Sequence, residues 1–485
     1  MVKKNSNTYK EIAKWKVEAK LEDTERYFYK SHAIEQLLDG EKNYVIGRKG
    51  SGKSAIANFL KKRSGYDHFA VSLTLKNFPF NTLYEYKDSQ HTPPNEYITI
   101  WKYIIYTKLL YLICENENID TDLKKAVEST IPSNAKEIVS KSITRTMSRS
   151  FSLSFASFKA AIGLGATNEK VELDWIQRAE ALEEILIRYL DNSKYFIVFD
   201  ELDEDYRYQS IIETDRPYLE LITGLFKAAQ DIKSIFSEYD HNVNPVIFLR
   251  DDIYSLISDH DKSKWSDLSI ELKWTPYTMQ ALIAHRISKA ISPAGKNLTF
   301  AKAWYAIISG GKINHGKNRT KPVTSYDWIT KQTLLRPRDY IRYLQICAEK
   351  AYEANDDIIR PESMTTQSKR YSSAFRQELI DEIHTLLPDI EKIFSLFSKI
   401  KKAQLRPAEF IESYEKTSKE DWKRKNDSAE YILKLLFLFS VIGNHIPRGG
   451  DRQVIIFRYL NEEAELDIDR SIVIHPGLQK SLQLM

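Results

Sequence analysis

Short unbroken apolar runs alternate with helix-period segments over the first half of the chain. NYVIG (43–47), FAVSLTL (69–75), YFIVFDE (195–201) and NPVIFLRDD (244–252) read as buried strands, two of them ending in charge. Between them, AIANFLKKR (55–63), the region from about 95 to 128, 174–191 and 217–238 carry apolar residues at helical spacing. Strands apolar on both faces and separated by helices predict an α/β core, a parallel sheet flanked by helices. Residues 1–40 read as charged helix, closed by a turn at Asp39-Gly40. From about 275 strands nearly vanish, and helices are expected at 277–292, 299–309, 338–354 and, after a polar stretch (355–371), 372–400. Residues 429–485 read as helix, helix, then the strand-like pieces VIIFRYL and SIVIHP, the order of a C-terminal winged helix.

Three segments need separate treatment. EYITIWKYIIYTKLLYLIC (96–114) is apolar, but Lys102 and Lys108 interrupt it, so a core helix is expected rather than a membrane span. ILKLLFLFSVI (432–442) is too short to span. Residues 131–170 hold seven serines within 133–154 and an excess of Lys and Arg; SFSLSFASF alternates like a hairpin or ordered insertion, with a mobile basic loop as the alternative. The N-terminus has no apolar leader pattern, which points to a soluble, cytoplasmic protein without a membrane.

Composition narrows the class only a little further. In 485 residues, 42% are hydrophobic and 28% charged, which excludes wholesale disorder and fibrous repeats. The formal charge, 71 − 67 = +4, permits a nucleic-acid partner without demanding one. Cys114 and Cys347 lie far apart without metal spacing and read as inert thiols, and no histidine cluster suggests a metal site beyond one that accompanies a nucleotide.

The sharpest chemical signal is Gly47-Arg48-Lys49-Gly50-Ser51-Gly52-Lys53-Ser54, with Ala55 next, which matches G-x-x-x-x-G-K-[ST] between a strand and a helix. Glycines let backbone N–H groups wrap phosphates, and the helix start adds a favourable dipole. In this motif Lys53 reaches the β- and γ-phosphates of ATP, and the Ser54 hydroxyl ligates Mg²⁺. FIVFD places Asp200 at the carboxyl end of a strand, as a Walker B aspartate holding the metal. Asp203, Glu204 and Asp205 read mainly as a solvated acidic loop. Two weaker patterns imitate other chemistry: Ser309-Gly310-Gly311 resembles an ABC signature on the wrong side of Walker B, and Glu271/Lys273 with Asp259, Asp261 or Asp267 resembles a short nuclease core, a third option for function.

YVIGRKGSGKSAI, VFDELD, FLRDDIY and LLRPRDYI, in this order and with the tail 442–482, resemble a bacterial P-loop ATPase family near the STAND and ORC/Cdc6 branches of AAA+ proteins. The resemblance covers most of 27–485 and implies an α/β P-loop core, a helical lid and a winged-helix domain. It implies that Glu201 polarises the attacking water and that Arg250 is a sensor at the γ-phosphate, the alternative being a surface arginine paired with Asp251 or Asp252. It implies that Arg338 or Arg336 is a lid sensor and that Pro337 packs on adenine, unless Pro337 merely starts a helix. Members occur beside effector genes in antiphage loci. The resemblance therefore implies an oligomeric ATP-driven switch of antiviral defence acting with a separate effector, with Arg286 and Arg319 as candidate fingers.

About 145 residues separate Ser54 from Asp200, so residues 80–170 are expected to be an insertion. The expected domains are 1–275 (core with N-terminal helices), 276–371 (lid) and 372–485 (helical and winged-helix). The alternative function is an ATP-controlled DNA-binding initiator or loader. Arg448, Arg452 and Arg458 would favour it, and the acids Glu462, Glu463, Glu465, Asp467 and Asp469 oppose it.

Overall fold

A computed structural model describes residues 5–63, 65–74, 91–119, 121–130, 175–203, 216–315, 321–447 and 453–484. Much of the expected insertion (80–90 and 131–170), Glu204, Asp205, Arg319, Arg448 and Arg452 lie outside the described residues. The chain divides into two compact units. One is 30–48 with 53–273, and the other is 1–29 with 49–52 and 274–485.

The first unit contains α3 (His32–Leu38), β1 (Tyr44–Ile46), α4 (Lys53–Lys62), β2 (His68–Thr74), α5 (Ile98–Cys114), α6 (Thr121–Thr130) and α7 (Trp175–Tyr189). It continues through β3 (Lys194–Asp200), α8 (Arg216–Glu238), β4 (Asn242–Leu249), α9 (Asp251–Leu256), α10 (Lys262–Asp267) and β5 (Ser269–Glu271). The five strands form one parallel sheet in the order β2-β3-β4-β1-β5. β1 and β3 carry no alternation because both of their faces are covered. The apolar, aromatic α5 is a core helix. Trp101, Ile104, Ile105 and Leu109 are fully buried, Trp101 Nε1 donates to the Leu221 carbonyl at 2.8 Å, and Lys102 reaches Asp231 at 3.2 Å. Among the described residues no helix is long and apolar enough to cross a membrane.

The second unit begins with α1 (Ser6–Ala13) and α2 (Thr24–Tyr27) and resumes with α11 (Pro276–Ile291), α12 (Phe300–Ile307), β6 (Lys312–His315), β7 (Lys321–Thr324), α13 (Ser325–Gln332) and α14 (Pro337–Ala354). It ends with α15 (Pro361–Ile383), α16 (Ile390–Ile400), β8 (Gln404–Leu405), α17 (Pro407–Lys416), α18 (Ala429–Leu438), β9 (Ile442–Pro447), β10 (Gln453–Ile456), β11 (Ile472–Ile474) and α19 (Pro476–Gln479). The last four strands pair in the order β10-β9-β11-β8, with β9 and β10 an antiparallel hairpin.

Three expectations are corrected. The helical region expected from 372 starts earlier, with α15 on Pro361 inside the expected polar stretch, and it is divided before α16 near Pro388, which has no N–H to donate. The strand-poor second half holds the β6–β7 hairpin, and the charged SIE stretch is the edge strand β5. The N-terminal helices group with the second unit rather than with the sheet. Tyr9 Oη donates to the Ile307 carbonyl at 2.8 Å, and Gln345 Nε2 donates to the Ala13 and Trp15 carbonyls at 3.1 and 3.2 Å.

Arg286 explains that grouping. It is 6% exposed on α11, forms an ion pair with Glu22, and lies 4.7 and 4.9 Å from the ring centres of Trp15 and Tyr27. A guanidinium enclosed in this way is not a surface finger, which corrects the candidacy given to Arg286 above. Arg26 adds two bonds to the Lys289 carbonyl at the end of the same helix. Arg286→Ala leaves the Glu22 carboxylate buried without its cation, so we expect a loss of about 3 kcal/mol in denaturant unfolding and early proteolysis within residues 1–29.

Candidate functional site

Three adjacent parallel strands bring the chemistry to one edge of the first unit. Ile46 pairs with Leu249 and Phe199 with Ile247, so β1, β4 and β3 end side by side. The residues at those ends are Gly47, Arg250 and Asp200, and the carboxyl edge of such a sheet is where α/β folds bind ligands. β4 lies between the other two, which puts Arg250 between the glycine loop and the acidic strand end.

The loop from Gly47 to Gly52 connects β1 to α4. Gly50 and Gly52 have φ of 83° and 107°, in the left-handed region where a Cβ is strained. Lys53 Nζ donates to the Gly47 and Arg48 carbonyls at 2.6 and 3.1 Å, and so lies over the start of the loop. Ser54, one residue on, lies beside the Asp200 carboxyl and favours its ionised form. Ala55 continues the helix.

Burial dominates the electrostatics here. It raises the Asp200 carboxyl above its usual range, against the Glu201 N–H and Ser54, with Glu201 adding to the rise. Burial likewise raises Asp251, which Arg48 opposes. It lowers the Lys53 ammonium, which Asp203 most strongly holds up. Glu201 directly follows the strand with φ 61°, a strained conformation for a side-chain-bearing residue and one that clusters at functional sites. Arg250 forks onto Asp252 at 2.9 and 2.5 Å and approaches Asp203 at 3.5 Å. This is the pairing weighed as the alternative to a sensor, with Asp203 added. Of the acids in the nuclease imitation, Asp259 pairs with Lys227 at 3.1 Å, and Glu271 pairs with Lys273 of the same short pattern. No group of three metal-ligating side chains occurs among the described residues.

Residues 49–52 belong to the second unit, and three of its side chains touch them. Trp274 Nε1 donates to the Ser51 carbonyl at 2.8 Å, and Arg336 Nη1 donates to the Lys49 carbonyl at 3.3 Å. A Cβ added to Gly50 would lie 3.3 Å from the Arg338 side chain. Leu335 has φ 55°, Arg336 is extended ahead of proline, and Pro337 is the first residue of α14. Arg336 is 2% exposed. It bonds Asp339 at 3.0–3.2 Å and Glu382 at 2.7 Å, with Glu378 at 3.9 Å. Arg338 is half-buried, and its Nε has no hydrogen-bond partner among the described residues. Trp274, Glu378 and Glu382 escaped the sequence reading, and Asp251 entered it only as a partner for Arg250. Only Trp274 carried a local signal, a large aromatic just before the Thr275-Pro276 helix start.

Residues 277–380 are similar to the family described as the FunZ-associated C-terminal helical domain. The ORC2 protein of Aeropyrum pernix, solved in ADPNP–ADP complexes, is 13% identical over 93% of this chain and 89% of its own, with a TM-score of 0.41. Cdc6p of Pyrobaculum aerophilum is 13% identical over 98% of this chain and 95% of its own, with a TM-score of 0.32. No curated protein matches the sequence. At these TM-scores the two likenesses decide nothing about the chemistry of this chain, which rests on the geometry above.

The carboxylate cluster around Arg336 sets a pH dependence. Burial and then Asp339 push Glu378 up to about 7, against Arg336, Arg338 and Arg342. The folded chain therefore binds a proton there that the unfolded chain releases near its ordinary value, and folding stability falls as pH rises from about 4.5 to about 7. Unfolding curves of Glu378→Gln should be flatter across that window than those of the wild type.

Proposed function

We propose that this protein is an ATP-binding and ATP-hydrolysing switch of the AAA+ P-loop kind. The observation that carries the reading is a glycine loop with Gly50 and Gly52 in left-handed backbone and its lysine already turned onto it, at strand ends where Ser54 stands beside the buried Asp200 carboxyl. A hydroxyl and a buried carboxylate side by side fit a hydrated Mg²⁺, since the burial that raises Asp200 is relieved by a nearby cation. Ser54 and Asp200 would hold Mg²⁺ there, and it would neutralise charge that develops on the phosphates.

The chain's own residues take the remaining parts. Arg48, Lys49, Gly50, Ser51 and Gly52 present backbone N–H groups to the phosphates, while the Gly47 N–H stays in the sheet on the Leu249 carbonyl at 3.2 Å, and Lys53 leaves the loop carbonyls to reach the β- and γ-phosphates. Glu201, held in left-handed backbone beside Asp200, orients the attacking water and accepts its proton. Arg250 exchanges Asp252 for the γ-phosphate, and Arg338, with its free Nε near Gly50, is the second sensor. The finer parts of the reading rest on the sequence resemblance: homo-oligomeric assembly, a C-terminal winged helix, a cytosolic setting, and a separate effector in antiviral defence. The DNA-loader alternative gains nothing from Arg458, which is held by the Ala464 carbonyl at 2.8 Å.

Equilibrium binding and turnover test the core of this reading. Lys53→Ala should lose nucleotide affinity. Glu201→Gln should bind ATP like the wild type and hydrolyse it at least about 100-fold more slowly. A wild-type chain that binds neither ATP nor ADP would refute the proposal.

A further inference from the structure

The loop that presents N–H groups has carbonyls that must go elsewhere. Two of them, on Lys49 and Ser51, are taken by side chains of the second unit. Arg336 Nη1 donates to the first at 3.3 Å, and Trp274 Nε1 donates to the second at 2.8 Å. Both peptide bonds that follow are trans, the cis bond in the described chain being Pro93-Pro94. In a trans peptide the C=O of one residue and the N–H of the next point in opposite directions. Fixing the Lys49 and Ser51 carbonyls therefore fixes the N–H groups of Gly50 and Gly52, directed away from the two donors. Gly50 and Gly52 are also the positions with left-handed φ, and glycine gives such a plane the least intrinsic resistance to flipping.

We infer that Trp274 and Arg336 are positioning residues of the phosphate cradle, acting through the backbone and not on the nucleotide. Arg336 can serve because it is locked itself. Asp339 and Glu382 hold it from two sides, and Asp339 also accepts the Leu334 N–H at 2.9 Å, which fixes the turn before α14. Trp274 is half-buried just after the β5 strand, and its indole N–H donates to this carbonyl alone.

The inference rests on the nucleotide reading, and its test separates the two. Trp274→Phe keeps the ring and removes only the donor; Arg336→Lys keeps the charge and withdraws the fork. Binding of labelled ADP and ATP to the full chain is measured well below the thermal midpoint, together with that midpoint in the absence of nucleotide. For Trp274→Phe we expect affinity for both nucleotides to fall about three- to tenfold, KM for ATP to rise with little change in kcat, and the midpoint without nucleotide to stay put. Arg336→Lys should show the same equal loss on ADP and ATP, whereas Arg338→Ala should lose ATP affinity selectively. Wild-type affinity in Trp274→Phe would overturn the inference and leave the nucleotide reading standing. Failure of the wild type to bind either nucleotide would remove both.

Discussion

Backbone N–H groups that converge on one point repel each other, and a loop that makes them converge does not hold its own shape. Here the loop needs left-handed backbone at Gly50 and Gly52, which sacrifices the stiffness a side chain would bring. The hold comes from outside. β1 enters the loop paired to β4 on one side and β5 on the other, α4 leaves it, and Trp274 and Arg336 occupy its middle carbonyls. The order β2-β3-β4-β1-β5 matters for the same reason, because it places β1 in the sheet interior, where neither side is free to shift.

Charge balance is the second constraint, and it follows from the first. Asp200, Glu201, Asp203, Asp251 and Asp252 gather at the strand ends against Lys53, Arg48 and Arg250. Acids outnumber bases even before a polyphosphate arrives. Burial already raises Asp200 and Asp251 and lowers Lys53, so each ionised form there is sustained by its neighbours. A polyanion entering alone would meet repulsion from the acids. A polyanion with a divalent cation would not, and Ser54 and Asp200 stand where such a cation would be shared.

The parts of this fold legible in the sequence were those set by local rules. The loop could be read because its glycines answer a backbone demand, and the apolar strands because both faces are covered. Asp200 could be read because an acid ending an apolar run has few other reasons to be there. What stayed hidden depended on distant partners. Arg286 looks like any helix arginine until Trp15, Tyr27 and Glu22, more than 250 residues earlier, close around it. β5 is three residues long and charged at its end, too short for a period to show. Trp274 is a single aromatic whose meaning lies in the Ser51 carbonyl it reaches.

Arg336 and Arg338 show the same limit at close range. They are two residues apart, chemically identical, and both sensor candidates on sequence, Arg338 ahead of Arg336. Pro337 between them forces Arg336 to be extended and starts the helix that carries Arg338, so their side chains leave in different directions. Arg336 meets Asp339, Glu382 and Glu378 and has its charge met by carboxylates; phosphate would have to displace buried ion pairs to recruit it. Arg338 packs beside Gly50 with a donor still unused. A guanidinium already enclosed by acids serves as a rigid strut, and one with an open donor beside the glycine loop can respond to a ligand. The different surroundings of Arg336 and Arg338 thus follow from one proline and the carboxylates on α14 and α15.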